Sequence, residues 1–227
     1  MEIGILGSGL VGRTLGAKFL ELGHRVTIGS RDAAKPEAIE WADAHGAAAT
    51  DFAETAESAE LLVNATAGIA SLDVLLSIGA EALGGKVLID VANRLDFSAG
   101  FPPFVTISHH MSLAEELQHA FPSLHVVKAL NTMNAPVMVA PERVGEGVHD
   151  VFMAGDDDEA KSQVADILAS FGWHRDRIRD LGGIAAARGV ELYLPLWLEL
   201  MRNLGTAKFN IRIVGADEAE TADDDGA

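Results

Sequence analysis

A glycine triplet set between an apolar run and an amphipathic one constrains this chain more than any other feature. Ile3 to Leu6 is short and apolar, Gly7-Ser8-Gly9-Leu10-Val11-Gly12 follows at once, and Arg13 to Leu22 carries apolar residues at helical spacing. The order reads strand, tight turn, helix. In a dinucleotide-binding unit Gly7 makes the bend, Gly9 lets backbone approach a pyrophosphate, and Gly12 lets the helix pack closely on its strand. The unpaired N–H groups at the helix start then face the pyrophosphate.

The next stretch bears on which dinucleotide. Gly23 closes the helix, Arg25 to Ile28 reads as a second strand, and that strand runs into Gly29-Ser30-Arg31-Asp32 with Lys35 shortly beyond. An NAD site places a carboxylate at this strand end to hold the ribose hydroxyls and repel a 2′-phosphate. Here a hydroxyl, a guanidinium and an ammonium stand instead, a set suited to a dianion. The spacing therefore favours NADP(H), with Ser30, Arg31 and Lys35 on the 2′-phosphate. The alternative is that Arg31 and Lys35 are solvated charges at a helix start that Asp32 caps.

At 227 residues and 48% hydrophobic the chain is long enough for one large α/β domain with a small companion. Its formal charge of −17 argues against nucleic acid or an anionic membrane surface as partner. Six of its carboxylates fall between Asp217 and Asp225, so residues 215–227 read as a disordered, solubilising acidic tail. No cysteine is present, which removes disulfides and thiolate chemistry and fits a cytoplasmic protein. No signal-like segment opens the chain. Val190 to Leu204 is apolar but interrupted by Glu191, Glu199 and Arg202, so it predicts a buried helix and not a membrane span.

Taken in order, Pro36 to Ala44 predicts a helix, Gly46 to Thr50 a short strand, Leu61 to Val63 a buried strand, Ser71 to Leu83 a helix, Val87 to Val91 and His125 to Leu130 further strands. Near-continuous apolar strands alternating with helices mean a parallel sheet covered on both faces. Ligands of such sheets lie beyond the carboxyl ends of the strands. Asn64, Ala65, Thr66 and Asn93 follow two of those ends and are expected near a nicotinamide ring, unless the Asn and Thr side chains only cap turns. The Gly/Pro-containing loop from Phe97 to His110, with Phe101, Pro102, Phe104 and the pair His109-His110, reads as a lid or substrate wall. No further residue at ligand spacing accompanies the His pair, so no metal site is expected. Ser112 and Glu115 form a capping box.

Several motifs recur in a known order: Gly-Ser-Arg-Asp from Gly29, Val-Asn-Ala-Thr from Val63, Asp-Val-Ala-Asn at Asp90 to Asn93, Val-Val-Lys-Ala-Leu-Asn-Thr at Val126 to Thr132, and Ala-Gly-Asp-Asp at Ala154 to Asp157. Together they resemble the NADP oxidoreductases that use the deazaflavin coenzyme F420, a family similar in turn to the NADPH-oxidising domain of metalloreductases. The match spans about Met1 to Val214. The resemblance implies that Gly7, Ser8, Gly9, Leu10, Val11 and Gly12 hold the pyrophosphate. It implies that Thr66, Asn131 and Thr132 border the nicotinamide and its redox partner. In the F420 users the position of Asn131 carries a His; the Asn-Thr version is closer to flavin-linked members. The implied acceptor is therefore F420 or FMN/FAD.

The expected architecture is α/β, a doubly wound Rossmann sheet over residues 1–130, a small C-terminal α/β domain over 131–214 with a long final helix, and the acidic tail. The final helix, Ile184 to Leu204 with a kink near Pro195, is apolar on nearly every side, which suggests burial and a homodimer. No triad, acid pair or metal constellation is visible, as suits hydride transfer between two rings, where the protein positions the reactants and excludes water. A reductase of a small carbonyl or imine and a non-catalytic NADP(H)-binding sensor remain as alternatives.

Overall fold

The computed structural model describes residues 1–96, 98–100, 103–105 and 110–215. Phe101, Pro102 and His109 of the expected lid, and the acidic tail from residue 216 onward, lie outside the described residues.

The chain opens with β1 (Glu2–Leu6), α1 (Leu10–Glu21), β2 (Arg25–Ser30), α2 (Pro36–His45), β3 (Ala48–Asp51) and α3 (Phe52–Ser58). It then forms β4 (Leu61–Asn64), α4 (Ser71–Ile78), α5 (Ala80–Leu83), β5 (Val87–Asp90), and the two-residue strands β6 (Leu95–Asp96) and β7 (Phe104–Val105). The stretch Ser71 to Leu83, expected as one helix, is two, because Gly79 takes φ 92° and breaks the ladder between α4 and α5. There follow α6 (Leu113–Ala120), β8 (His125–Ala129), α7 (Ala135–Met138), β9 (Val151–Ala154), α8 (Asp158–Ser170), β10 (Ile178–Asp180), α9 (Ala187–Leu192) and α10 (Leu194–Leu204).

The main sheet runs β10-β9-β8-β5-β4-β1-β2-β3. From β3 to β8 every pair is parallel, β9 is antiparallel to β8, and β10 is parallel to β9. This is the doubly wound order, with the chain reversing direction of travel between β1 and β4, and the crevice above that point is where such folds take ligands. Residues 131–214, read from the sequence as a small second domain, supply β9 and β10 to this same sheet.

Successive residues of a strand face opposite sides, and both sides here are covered. Ile3, Ile5, Val63, Ile89 and Val127 pack with Leu15, Phe19 and Val164 from α1 and α8. Leu62, Leu88 and Val126 pack with Leu75 and Leu117 from α4 and α6. The last helices divide near Pro195 as expected but are less buried than expected. The helix breaks at Tyr193, α10 restarts with Pro195 in its first turn, and Leu194 is its only buried residue, while Leu196 and Leu204 are more than half exposed. Apolarity on all sides was a sign of burial, but within one chain only one side of α10 has anything to pack against. Among the described residues no helix is long and apolar enough to cross a membrane.

Candidate active site

The three glycines of the first turn are required by different things. Gly7 takes φ 122°, and a Cβ placed on it would lie 2.4 Å from the carbonyl oxygen of Ala65. A Cβ on Gly12 would lie 2.0 Å from the carbonyl oxygen of Gly7. Gly9, the N-cap of α1 at φ −76°, would put a Cβ into open space with no protein atom within 4 Å. Gly7 and Gly12 are thus demanded by the protein's own packing, whereas nothing in the described protein demands Gly9, and the open space there leaves room for a group such as a pyrophosphate at the helix N-terminus. The first turn of α1 carries no acidic side chain.

Beyond this turn a cavity of about 550 Å³ is lined by Ser8, Ser30, Arg31, Asp32 and Lys35 at one end and by Ala65 to Ala67 at the other. Lys35 Nζ donates to Ser8 Oγ at 3.0 Å, and Ser30 Oγ donates to the Asp32 carbonyl at 2.5 Å. Arg31 is exposed. Asp32 does not cap α2, whose N-cap is Lys35; its Oδ1 accepts from the Ala34 N–H at 2.9 Å in a local Asx turn. Three polar groups that suit a phosphate therefore converge at the end of β2, beside the one carboxylate of this lining. These residues fit the 2′-phosphate of NADP(H), and the Gly9 gap fits its pyrophosphate.

A second cavity of about 340 Å³ shares Ala65, Thr66 and Ala67 with the first, so the two form one groove across the carboxyl edge of the sheet. Leu10, Val11, Asn93, Asn131, Met138, Leu194 and Trp197 are among its walls, and no described lining residue is ionisable. Asn93 and Asn131 are locked together: Asn93 Nδ2 donates to the Asn131 carbonyl at 2.7 Å, and Asn131 Nδ2 donates to Asn93 Oδ1 and to the Val190 carbonyl, both at 3.1 Å. Asn131 Oδ1 is buried without a hydrogen-bond partner among the described residues. Leu130, at φ 63°, turns the chain here; a left-handed leucine is strained and marks a place where geometry is imposed.

Two expected side chains stand elsewhere. Asn64 lines neither cavity: it is fully buried, its Nδ2 donates to Asp90 Oδ1 at 2.8 Å and Ser71 Oγ at 3.1 Å, and its Oδ1 accepts from Thr66 Oγ1 at 2.7 Å. It therefore holds the turn that presents Thr66, because as the last residue of β4 its side chain still points into a covered face of the sheet. Thr132 is also buried and lines neither cavity, since the turn at Leu130 aims Asn131 at the groove and carries the next residue away from it.

One group escaped the sequence reading. Lys128, fully buried on β8, places Nζ 3.0 Å from Asp90 Oδ2, 2.5 Å from the Ala92 carbonyl and 3.0 Å from Glu191 Oε1. Glu191, on α9, also accepts from the Leu113 N–H at 2.8 Å and the Ala114 N–H at 3.2 Å, the start of α6. Burial disfavours the ammonium, but the two carboxylates outweigh it and hold Lys128 above the ordinary lysine value. Burial pushes Asp90 up more strongly than Lys128 pulls it down. The only trace in the sequence is a lysine set among the apolar residues Val126, Val127 and Ala129.

Residues 2–94 match the family model of coenzyme F420-dependent NADP oxidoreductases. The F420-dependent NADP reductase of Methanothermobacter marburgensis is 30% identical over 93% of this chain and 99% of its own length. The chain belongs to this family. As a member it is an NADP-dependent oxidoreductase. A family structure from Arthrobacter sp. FB24, provisionally assigned as an F420-dependent NADP reductase, is 46% identical with a TM-score of 0.87, covering 93% of this chain and 98% of that one. Rat metalloreductase STEAP3 is 31% identical over 86% of this chain, which spans 38% of that longer protein.

Proposed function

We propose that this NADP oxidoreductase passes hydride between NADPH and a deazaflavin or flavin ring laid in the apolar cavity at the carboxyl ends of β4, β5 and β8. The observation that carries this reading is the lining of that cavity, apolar apart from amides, backbone and Thr66. Reduction of a carbonyl or imine needs a proton donor within reach of the substrate, and the described lining offers no ionisable one. A fused heterocycle instead spreads the arriving charge over its own ring and needs chiefly alignment and exclusion of water. NADPH, when bound, supplies the hydride. Ser30, Arg31 and Lys35 hold its phosphate end, Gly9 admits its pyrophosphate, and Thr66 and the Asn93–Asn131 pair orient the reacting face. The relatives described as F420-dependent reductases favour F420 as the acceptor.

The decisive assay mixes the protein with NADPH and, separately, F420, FMN and FAD while following NADPH absorbance. Oxidation with one of them supports the reading and identifies the acceptor, and none with any of them overturns it.

A charge-assisted hydrogen bond contributes about 1.5 to 3 kcal/mol, so Arg31→Ala is expected to weaken NADPH binding about 10- to 100-fold. NADH binding should hardly change. An equal loss for both nucleotides would remove Arg31 from the 2′-phosphate.

The exposed leucines of α10, Leu196 and Leu204, with Leu192 at the end of α9, suit a second copy of the chain packed on these helices. Sedimentation at micromolar concentration is expected to give a dimer; a monomer there would leave this face without that role.

A further inference from the structure

A circuit of hydrogen bonds, closed by the chain links Val190–Glu191 and Thr66 to Gly68, runs behind the walls of the apolar cavity. On one side Thr66 is held by Asn64, Asn64 by Asp90, and Asp90 by Lys128. Lys128 then takes the carbonyl of Ala92, itself a wall residue, and reaches across to Glu191. Glu191 is anchored on the first N–H groups of α6 and stands next to Val190, whose carbonyl holds the Asn131 amide. Asn131 returns to Asn93, and the Asn93 carbonyl accepts from the Gly68 N–H at 3.2 Å, in the loop that follows Thr66. The helix that supplies Val190 and Glu191 leads straight into Leu194 and Trp197, the opposite wall.

The ion group at the centre is a poor means of stabilising a fold. Desolvation of buried charges offsets most of their attraction, and well-packed apolar residues of the same volume serve as well or better. Its geometric effect is larger: one ammonium fixes the distance between the strand-end turns of β4 and β5 and the helix α9. Asp90 and Glu191 bring two carboxylates to a single lysine, so neither can turn away without leaving Lys128 or an α6 N–H unpaired.

We infer that Lys128 and Glu191 are positioning residues for hydride transfer, setting the gap between the nicotinamide-side turns and the helical wall that faces the acceptor ring. The inference rests on the reading of this cavity as the place where the two rings meet. Neither residue touches a ligand; both act through Thr66, Ala92, Asn131 and the helix carrying Trp197.

Glu191→Gln is the variant of choice, since it keeps the Lys128–Asp90 pair and one oxygen, placed to accept from the Leu113 N–H, while giving up the acceptor shared by Lys128 and the Ala114 N–H. Three quantities are read on the purified full chain: the NADPH dissociation constant, the fluorescence of bound NADPH, and the single-turnover rate of NADPH oxidation by the accepting ring. NADPH affinity should stay within about threefold, because its phosphates are held at the far end of the groove, while the single-turnover rate falls at least about tenfold. A looser wall admits water, so the fluorescence of the bound nicotinamide should drop by about half or more. An unchanged rate and fluorescence overturn the inference. So does a loss of affinity and of melting temperature in step with the rate, which is what a purely structural role gives. Glu191→Asp, which keeps the charge and shortens the reach, is read in the same way should Glu191→Gln not fold. If the wild type oxidises NADPH with none of the offered rings, the proposed function fails alone, and the fluorescence of bound NADPH still decides the positioning role.

Discussion

Gly9→Ala is expected to fold as the parent chain does and to lose NADPH, whereas Gly12→Ala is expected to lose the fold. At Gly9 the backbone angle is one any residue adopts and the new methyl meets no protein atom within 4 Å. Its effect on stability should stay under about 1 kcal/mol, the usual cost of alanine at an N-cap. That methyl occupies the space through which a pyrophosphate reaches the N–H groups of α1, so NADPH affinity should fall by about 100-fold or more. At Gly12 the methyl would sit 2.0 Å from the Gly7 carbonyl oxygen and 3.2 Å from Ile5 Cγ2. These are backbone and core atoms, unable to yield without parting α1 from β1, and overpacking of this kind costs about 3 kcal/mol or more. Thermal melts and NADPH titrations of the two variants separate the effects. A Gly9→Ala protein that binds NADPH normally would move the pyrophosphate away from this turn.

Lys128→Met carries the second large effect. The apolar replacement leaves Asp90 and Glu191 buried without their cation, and breaking a buried pair on one side costs about 3–5 kcal/mol. Replacing all three groups, Lys128→Met with Asp90→Asn and Glu191→Gln, removes the charges together and should recover at least half of that loss. Urea unfolding midpoints measure both. The pH dependence has a definite sign. Asp90 already binds its proton more tightly in the folded protein than an ordinary carboxyl does, and without Lys128 it binds the proton more tightly still. The folded state then holds more protons than the unfolded one, so the stability this group contributes is fully present below the ordinary carboxyl value. It is lost as pH rises through the folded value. The deficit of Lys128→Met should therefore be smallest near about pH 4 and grow toward neutrality. A single variant as stable as the parent at pH 7 would show that the ion group bears no strain in the fold.

The strand–turn–helix at the N-terminus, the alternation of apolar strands with helices, and the capping box at Ser112 and Glu115 were all legible in the sequence. Each is a local pattern in which residues a few positions apart decide the outcome. That Ser30, Arg31 and Lys35 line one cavity was legible for the same reason, since they lie on one turn and need no distant element to bring them together. The site beyond them was only partly so. Asn93 and Asn131 could be placed at strand ends, but nothing local says that they grip each other across β5 and β8. Asn64 and Thr132 were polar residues in the right segments, and which way each side chain points depends on the strand pleat and on the left-handed turn at Leu130. The role of Lys128 was not legible, because its partners lie 38 and 63 positions away on β5 and α9.

The doubly wound α/β class, the glycine turn and the family could be read along the chain, since they rest on glycine sterics, hydrophobic period and the order of short motifs. Which polar side chains face the groove and which are consumed beneath it, the continuation of the main sheet by β9 and β10, and the uncovered apolar surface of α10 became visible only in the folded chain. Those outcomes depend on long-range packing: a buried polar group must find a partner wherever the fold brings one, and a helix is buried only as far as other elements reach to cover it.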